Sequence, residues 1–420
     1  MSDDSLSRRD FLKGATLTTM GLLLAGREIM AQGENEIEPV GPAVTCAVIG
    51  TGVRGRDLLS VLSRLPNADV KAICDTYDIF LRRAQQIAPG SEQIEDYRRV
   101  LDNKEIEAVF VSTPSHLHKD IVLAAVAAGK HVYCEAPLAA SLSDAREMAL
   151  AGKGSERVFR IGQQQRSSEL HRHVLGFVRT GVIGRVAGGR AQWHKRQSWR
   201  RLAPVREREK ELNWRLYRES SPGLIGEEGI HQLDILSWYL GGPPVSVSGS
   251  SAITCWDDGR EVPDTVHCVF EFPRNVRVFY SATLANSFEG ASQVIYGSES
   301  AILMREDRAW LFKEADSPLL GWEVYAHKEQ FGDETGICLL ADATHLEDVG
   351  EDSAKESEED AGKDATYHSL GNFLMQIRGV DAPGCSAVEG YRAAVVALKA
   401  NEAALSGTTL TYEKEWFELG

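Results

Sequence analysis

From Val44 onward the apolar positions fall into short runs separated by amphipathic stretches of helix length. Residues 45–49, 70–74, 108–112 and 131–134 read as strands, and 54–65, 78–88 and 116–128 as helices. Strands alternating with helices predict a doubly wound parallel sheet, an α/β domain over residues 44–165. Beyond it the period changes. Residues 186–194, 245–252, 266–272 and 276–284 alternate every second position and are joined by short turns. That pattern predicts a second α/β domain, residues 166–365, on a largely antiparallel open sheet with one helix at 229–240 before it. Two further helices, 367–378 and 388–405, are expected to pack back on the first domain and make residues 366–420 a closing unit. No internal repeat is visible.

Composition agrees with two or three domains, since 420 residues divided by about 150 per domain exceeds a single core. Hydrophobic residues at 43% and charged residues at 25% exclude global disorder and a fibrous repeat. The net charge of −15 argues against a nucleic-acid or anionic-membrane partner. Nine acidic residues against two lysines between Glu347 and Asp364 concentrate a local −7 in residues 345–365, which read as an acidic surface insertion. About −8 is left for the rest, an ordinary value that carries no information about the substrate site.

Ser7-Arg8-Arg9-Asp10-Phe11-Leu12-Lys13, followed by an apolar stretch at 15–25, has the order of a twin-arginine export signal. The apolar run is shorter than the roughly 20 residues of a spanning helix. Residues 1–31 are therefore expected to be a leader read by the twin-arginine export machinery, with 32–43 a linker and a periplasmic or other extracytoplasmic destination. Two fates stay open, cleavage after Ala31 and retention as an uncleaved anchor, because Ile29 is larger than the usual residue three positions before a cut. This route carries folded proteins, so a cofactor can travel already bound. Seven cysteines without any Cys-x-x-Cys pair, with Cys46, Cys74 and Cys134 in apolar runs, read as small buried hydrophobes rather than a disulfide framework.

Gly50-Thr51-Gly52-Val53-Arg54-Gly55 follows the first strand and opens a helix. In that context Gly50 permits a tight turn, Gly52 lets the backbone approach a pyrophosphate and Gly55 allows close helix packing. The helix N-terminus, with Val53 and Arg54 in its first turn, offers free N–H groups to the anion. Asp75 ends the second strand 25 residues after Gly50, where a carboxylate accepts from ribose hydroxyls and repels a 2′-phosphate. NAD is expected, with NADP disfavoured. Glu227-x-x-x-His231-x-x-Asp234 has spacings of four and three that put the three side chains on one helix face. A carboxylate at that distance would raise the imidazole pKa and orient it as a general base. A structural histidine capped by Glu227 and a zinc or manganese site are the competing readings, and no further ligand cluster accompanies the three, so no metal is expected.

With Ser112-Thr113-Pro114-Ser115-His116-Leu117-His118, then Gly129-Lys130-His131-Val132-Tyr133-Cys134-Glu135-Ala136-Pro137-Leu138-Ala139, then Gly229-Ile230-His231-Gln232-Leu233-Asp234, the chain from Val44 to its end resembles the Gfo/Idh/MocA oxidoreductase family, in its secreted glucose–fructose oxidoreductase type. The resemblance implies a Rossmann domain followed by an open-sheet α/β domain that serves in oligomer contacts, a dimer or a tetramer, and a sugar or cyclitol substrate. It implies that Thr113, Pro114 and His116 line the nicotinamide side, that Glu135 contacts the nicotinamide ribose, and that His231 is the catalytic histidine. Glu227 stands where the family usually has an aspartate, and Gln164, Arg166 and Asp234 fall near the family's substrate. Trp193 and Lys195 on one face of their strand, with His194 and Arg196 on the other, offer an aromatic platform and hydroxyl-binding groups for a sugar, or else a solvated basic face.

One departure matters. Ala136 stands where the family usually has a lysine that helps move the reacting proton, and a methyl group cannot do so. Lys195 or His194 is the expected substitute. The implied activity is hydride transfer between nicotinamide and a carbon of a sugar, glycoside or polyol, with the cofactor tightly held. Two rivals remain: a redox-neutral NAD-dependent glycosidase, whose branch also looks altered at this lysine, and a non-catalytic NAD- or sugar-binding homologue.

Overall fold

The computed structural model describes residues 40–324, 326–339 and 365–420. The leader and the acidic segment 345–364 lie outside the described residues. Strands β1 (Val44–Ile49), β2 (Ala68–Cys74), β3 (Glu92–Ile94), β4 (Ala108–Val111), β5 (His131–Glu135) and β6 (Phe159–Gly162) form a parallel sheet in the order β6-β5-β4-β1-β2-β3. Between them run α1 (Val53–Leu62), α2 (Asp78–Gln85), α3 (Tyr97–Asp102), α4 (His118–Ala127) and α5 (Leu142–Lys153). The order reverses between β1 and β4, so the crevice at their carboxyl ends is where a dinucleotide binds such a sheet. Every residue of β4 and β5 is buried, as expected for strands covered on both faces. Cys46, Cys74 and Cys134 are buried free thiols within β1, β2 and β5.

After α6 (Glu169–Arg179) the second sheet begins with β7 (Val186–His194). Residues 195–229 and α7 (Ile230–Tyr239) intervene before β8 (Ser246–Ala252), β9 (Thr265–Phe272), β10 (Val276–Thr283), β11 (Ala291–Gly297), β12 (Ser300–Arg305), β13 (Arg308–Lys313), β14 (Lys328–Phe331) and β15 (Glu334–Cys338). Their order is β14-β15-β13-β12-β11-β7-β10-β9-β8, with Thr409–Thr411 added beside β8. Pairing is antiparallel except at the centre, where β7 and β10 run parallel with Ala282 beside Trp193. The long return through α7 sets this exception: it brings the chain back to start β8 in the direction of β7, and the β8-β9-β10 meander then presents β10 parallel to it. Local alternation specifies which residues face inward and cannot specify that direction.

Along β10 the alternation is sharp. Val278, Tyr280 and Ala282 are buried against Leu233 and Leu236 of α7, whereas Phe279 on the outer face is 59% exposed. The last helices, α8 (Ala365–Ile377) and α9 (Ala387–Ser406), do contact the first domain. Phe373 of α8 lies 5.4 Å from Phe110 and 5.6 Å from Tyr133, ring to ring. α9 packs on α5 and on β8 together, and Cys385–Ser386 just before it pairs with β6. One helix thus binds both sheets into a single apolar core. Its start is a full capping box, Ser386 with Glu389, and Gly407 in the left-handed region ends it.

Candidate active site

Gly50 leaves β1 with φ +89°, and a Cβ there would come within 2.7 Å of the Ser112 and Thr113 backbone. A Cβ on Gly55 would lie 1.9 Å from the Gly50 carbonyl oxygen, so helix and loop touch through hydrogen alone. At Gly52 a Cβ would meet nothing within 4 Å. The loop is therefore shut on two sides and open on the third, beside the start of α1, the shape a pyrophosphate fills. Asp75 folds back on this loop, its Oδ2 accepting from the Thr51 N–H at 2.7 Å and its Oδ1 from the Tyr77 N–H at 2.9 Å. Burial pushes its carboxyl pKa up, opposed by these hydrogen bonds. Val53 is exposed at the mouth of the loop.

The far end of the crevice is polar and enclosed. Glu135, buried at the end of β5, accepts from Arg54 Nε at 3.0 Å and from Gln164 Nε2 at 3.1 Å. Thr113 and Pro114 lead into a single turn, Ser115–Leu117, that carries the exposed His116. His118 is buried, with Nε2 2.9 Å from the Thr113 oxygen and Nδ1 3.1 Å from the Pro137 oxygen, and it fastens these two loops together. Thr113 Oγ1 and Gln163 Nε2 are buried with no partner among the described residues. Unpaired buried polar atoms at the crevice wall fit a bound dinucleotide, whose amide and ribose groups would pair with them.

His231 reaches this end from α7. Its Nδ1 lies 2.9 Å from Gln163 Oε1, an arrangement in which Nδ1–H donates and Nε2 keeps its lone pair. Burial, aided by the Arg54 charge, holds the imidazole down to about 4, so it is neutral throughout the physiological range. The expected partnership with Glu227 does not form. Residues 225–229 are a π-helical turn, and the buried Glu227 accepts from Ser115 Oγ at 2.9 Å and from Arg215 Nε at 3.1 Å. A wider turn changes the angle between positions four apart, and the guanidinium outcompetes a buried neutral ring for the carboxylate. The imidazole pKa falls instead of rising.

Three further expectations are corrected. Asp234, 3% exposed, is clasped by Arg166 through two hydrogen bonds of 2.7 and 2.8 Å, and Arg166 also reaches Glu389 at 2.7 Å. The pair ties the loop after β6, α7 and α9 to one another and is closed to a substrate. His194 lies on the outer face of the sheet, with Nε2 2.9 Å from Ser281 Oγ, and cannot replace the missing lysine. Gln164 belongs to the Glu135 cluster rather than to a separate substrate pocket. Trp193, partly buried against the core, and the exposed Lys195 do share the face toward α7. Among the described residues a possible metal-ligand group gathers elsewhere, at His327, Glu329 and Cys338, where Arg308 and Trp310 already hold Glu329.

Residues 44–163 match the family model of the Gfo/Idh/MocA oxidoreductases with an NAD-binding Rossmann fold, and residues 171–303 match the family's C-terminal domain. The chain belongs to the Gfo/Idh/MocA oxidoreductase family. It is 30% identical over 219 residues to 1,5-anhydro-D-fructose reductase of Ensifer adhaerens, covering 51% of this chain and 61% of that protein. It is 29% identical over 204 residues to 2,7-anhydro-N-acetylneuraminate hydratase of Mediterraneibacter gnavus, 48% of this chain and 50% of that one. The matched stretches thus span about half to three-fifths of these relatives. In fold it is similar to levoglucosan dehydrogenase in complex with NADH and L-sorbose, with a TM-score of 0.71 at 18% identity over 89% of this chain and all of that one.

Beside these family residues, the Gfo/Idh/MocA chain carries an acid that no sequence motif marks. The side chain of Glu228, adjacent to Glu227 on the π-helical turn, makes no hydrogen bond among the described residues, and burial pushes its carboxyl up to about 7. Arg215 and Lys195 pull that value down and Glu227 pushes it up. The hydroxyl of Tyr280, buried and unpartnered among the described residues, lies within its field. Nothing local in the sequence distinguishes Glu228 from a solvent-facing helix residue. The doubled acid in Glu227-Glu228 was the only available signal, and it gains meaning once β7 and β10 lie alongside.

Proposed function

We propose that the protein is an NAD-dependent oxidoreductase that moves hydride between a sugar, glycoside or polyol and a tightly held nicotinamide. The observation that carries this reading is the His231–Gln163 pair, which sets one ring nitrogen of a neutral imidazole free beside the Glu135–Arg54 end of the dinucleotide crevice. The nicotinamide supplies the hydride acceptor or donor when bound. Gly50, Gly52, Gly55 and the first turn of α1 would hold its pyrophosphate, Asp75 the adenosine ribose, and Glu135 with Gln164 the nicotinamide ribose. A carboxylate at Asp75, already near its neighbours' N–H groups, favours ribose hydroxyls over a 2′-phosphate and hence NAD over NADP.

His231 Nε2 takes the proton of the reacting hydroxyl. A base that titrates at about 4 keeps a proton poorly at neutral pH, so it must pass it on. Glu228, three residues earlier on the adjoining π-helical turn and pushed up to about 7, is the group proposed to receive it. Together they do the work of the lysine absent at Ala136. Trp193 and Lys195 face the same space and suit a sugar's apolar face and hydroxyls. A second reading, in which oxidation and re-reduction bracket an elimination or hydration so that no net redox change occurs, is favoured by Ala136 and by the family's hydratase relative.

The protein without residues 1–31 is expected to purify with nicotinamide absorbance, and mixing it with free sugars and aryl glycosides separates keto-sugar formation from aglycone release. Neither product, with no bound nicotinamide, would overturn both enzyme readings and leave the non-catalytic one. Export by the twin-arginine route, supported by the Arg8-Arg9 motif, is proposed with it. A leader–reporter fusion that reaches the periplasm only when Arg8 and Arg9 are intact is the check. Pairing of copies through the outer face of the second sheet, where Phe279 is exposed, completes the proposal.

A further inference from the structure

Residues 199–220, a few positions beyond the end of β7, cross the carboxyl ends of the parallel strands before the chain enters α7. Their contacts with the first domain are spread along the crevice. Arg208 Nη2 donates to the Thr76 carbonyl at 2.9 Å, and its guanidinium carbon lies 5.1 Å from the centre of the Tyr77 ring, immediately after the ribose-binding Asp75. At the other end the ring of Trp214 is 6.1 Å from that of His116, and Arg215 is joined through Glu227 to Ser115. One segment of the second domain therefore spans both ends of the cofactor crevice.

Between these ends stands Arg201. Asn213, 1% exposed, clamps its backbone from both sides, accepting from the Arg201 N–H at 2.7 Å and donating to the Arg201 carbonyl at 3.0 Å. Arg201 is an exposed residue whose guanidinium makes no hydrogen bond or ion pair among the described residues, and partial desolvation with repulsion from Arg215 and Arg56 holds its pKa down. Arg56 rises from the first turns of α1 and donates to the Thr51 carbonyl at 2.9 Å. Arg215 is already paired with Glu227, so the guanidinium groups of Arg201 and Arg56 beside the start of α1 carry the positive charge that an anion would offset. The pyrophosphate of a dinucleotide is an anion of the right charge, and the open side of Gly52 is where it would lie.

We propose that Arg201 and Arg208 are cofactor-binding residues supplied by the second domain, Arg201 to the pyrophosphate and Arg208 to the edge of the adenosine ribose. Residues 199–220 form a clasp that must lift before the dinucleotide leaves. This rests on the dinucleotide reading of the crevice and adds to it a means of retention, which an enzyme working away from a cytoplasmic NAD pool requires.

The test uses NADH as the probe. Protein loaded with NADH is mixed with excess NAD, and the loss of nicotinamide fluorescence gives the dissociation rate. Arg201→Ala and Arg208→Ala are each expected to raise it about tenfold and the double variant further, while Arg206→Ala, exposed on the same segment, leaves it unchanged. Hydrogen exchange of residues 199–220 in the unaltered protein is a second readout, expected to slow when NADH binds. Rates within twofold of the unaltered protein, or exchange indifferent to NADH, would overturn the clasp while the crevice still binds NADH. No NADH binding by the unaltered protein would overturn the dinucleotide reading and the clasp with it.

Discussion

At the level of single residues, the proposed chemistry turns on two groups whose proton affinities have moved in opposite directions. His231 is held down to about 4 from an ordinary 6.5, and Glu228 is pushed up to about 7 from 4.5, each chiefly by burial. His231→Ala is expected to lower turnover by roughly 10²–10⁴-fold with NADH binding unchanged, read by steady-state rates beside fluorescence titration. Glu228→Gln should abolish the limb of the oxidation rate that falls below about pH 7, leaving a flat profile in that range. An unchanged limb would remove Glu228 from the proton path. The His231 shift also carries a stability consequence. The unfolded chain takes up its proton near 6.5 and the folded one only near 4, so the contribution of the neutral ring is complete above 6.5 and lost as pH falls through 4. Urea unfolding of the cofactor-free protein between those values should show His231→Gln with a pH slope shallower by up to about 1.4 kcal/mol per unit.

At the scale of elements, the glycine loop makes a paired prediction. Gly52→Ala meets no atom within 4 Å, so its melting temperature should hold while NADH affinity drops, because the added methyl occupies the open side of the cradle. Gly55→Ala would set a methyl 1.9 Å from the Gly50 oxygen, and a lowered melting temperature is expected before any question of binding arises. Similar melting losses in both would contradict the assignment of Gly52 to a ligand. The Arg166 fork behaves differently from either. Asp234→Asn leaves a largely buried guanidinium with Glu389 as its remaining carboxylate, and chemical denaturation should show a loss of about 3 kcal/mol. Asp234 and His231 stand three apart on α7, but the helical spacing does not encode Arg166, 68 residues away, which takes the carboxylate inward. Glu227 departs from its expected pairing for a related reason: the π-helical turn is a backbone choice that the spacing of three residues does not encode.

For the molecule as a whole, the second sheet covers its inner face with α7 and α9 and leaves Phe279 exposed on the outer one. Light scattering is expected to give a dimer or a tetramer, and Phe279→Asp to shift it toward the monomer with NADH binding intact; a monomeric unaltered protein would remove the proposed pairing. The fold class, the two kinds of sheet, the glycine loop and Asp75 were readable in the chain because each depends on residues close in sequence, where period and turn chemistry act directly. The parallel seam of β7 and β10, the Gln163–His231 pair, the burial that shifts Glu228 and the contacts of residues 199–220 with the first domain were decided only by tertiary structure. Each needs groups from distant segments, and the dielectric and partners of a titrating side chain exist only once those segments have closed around it.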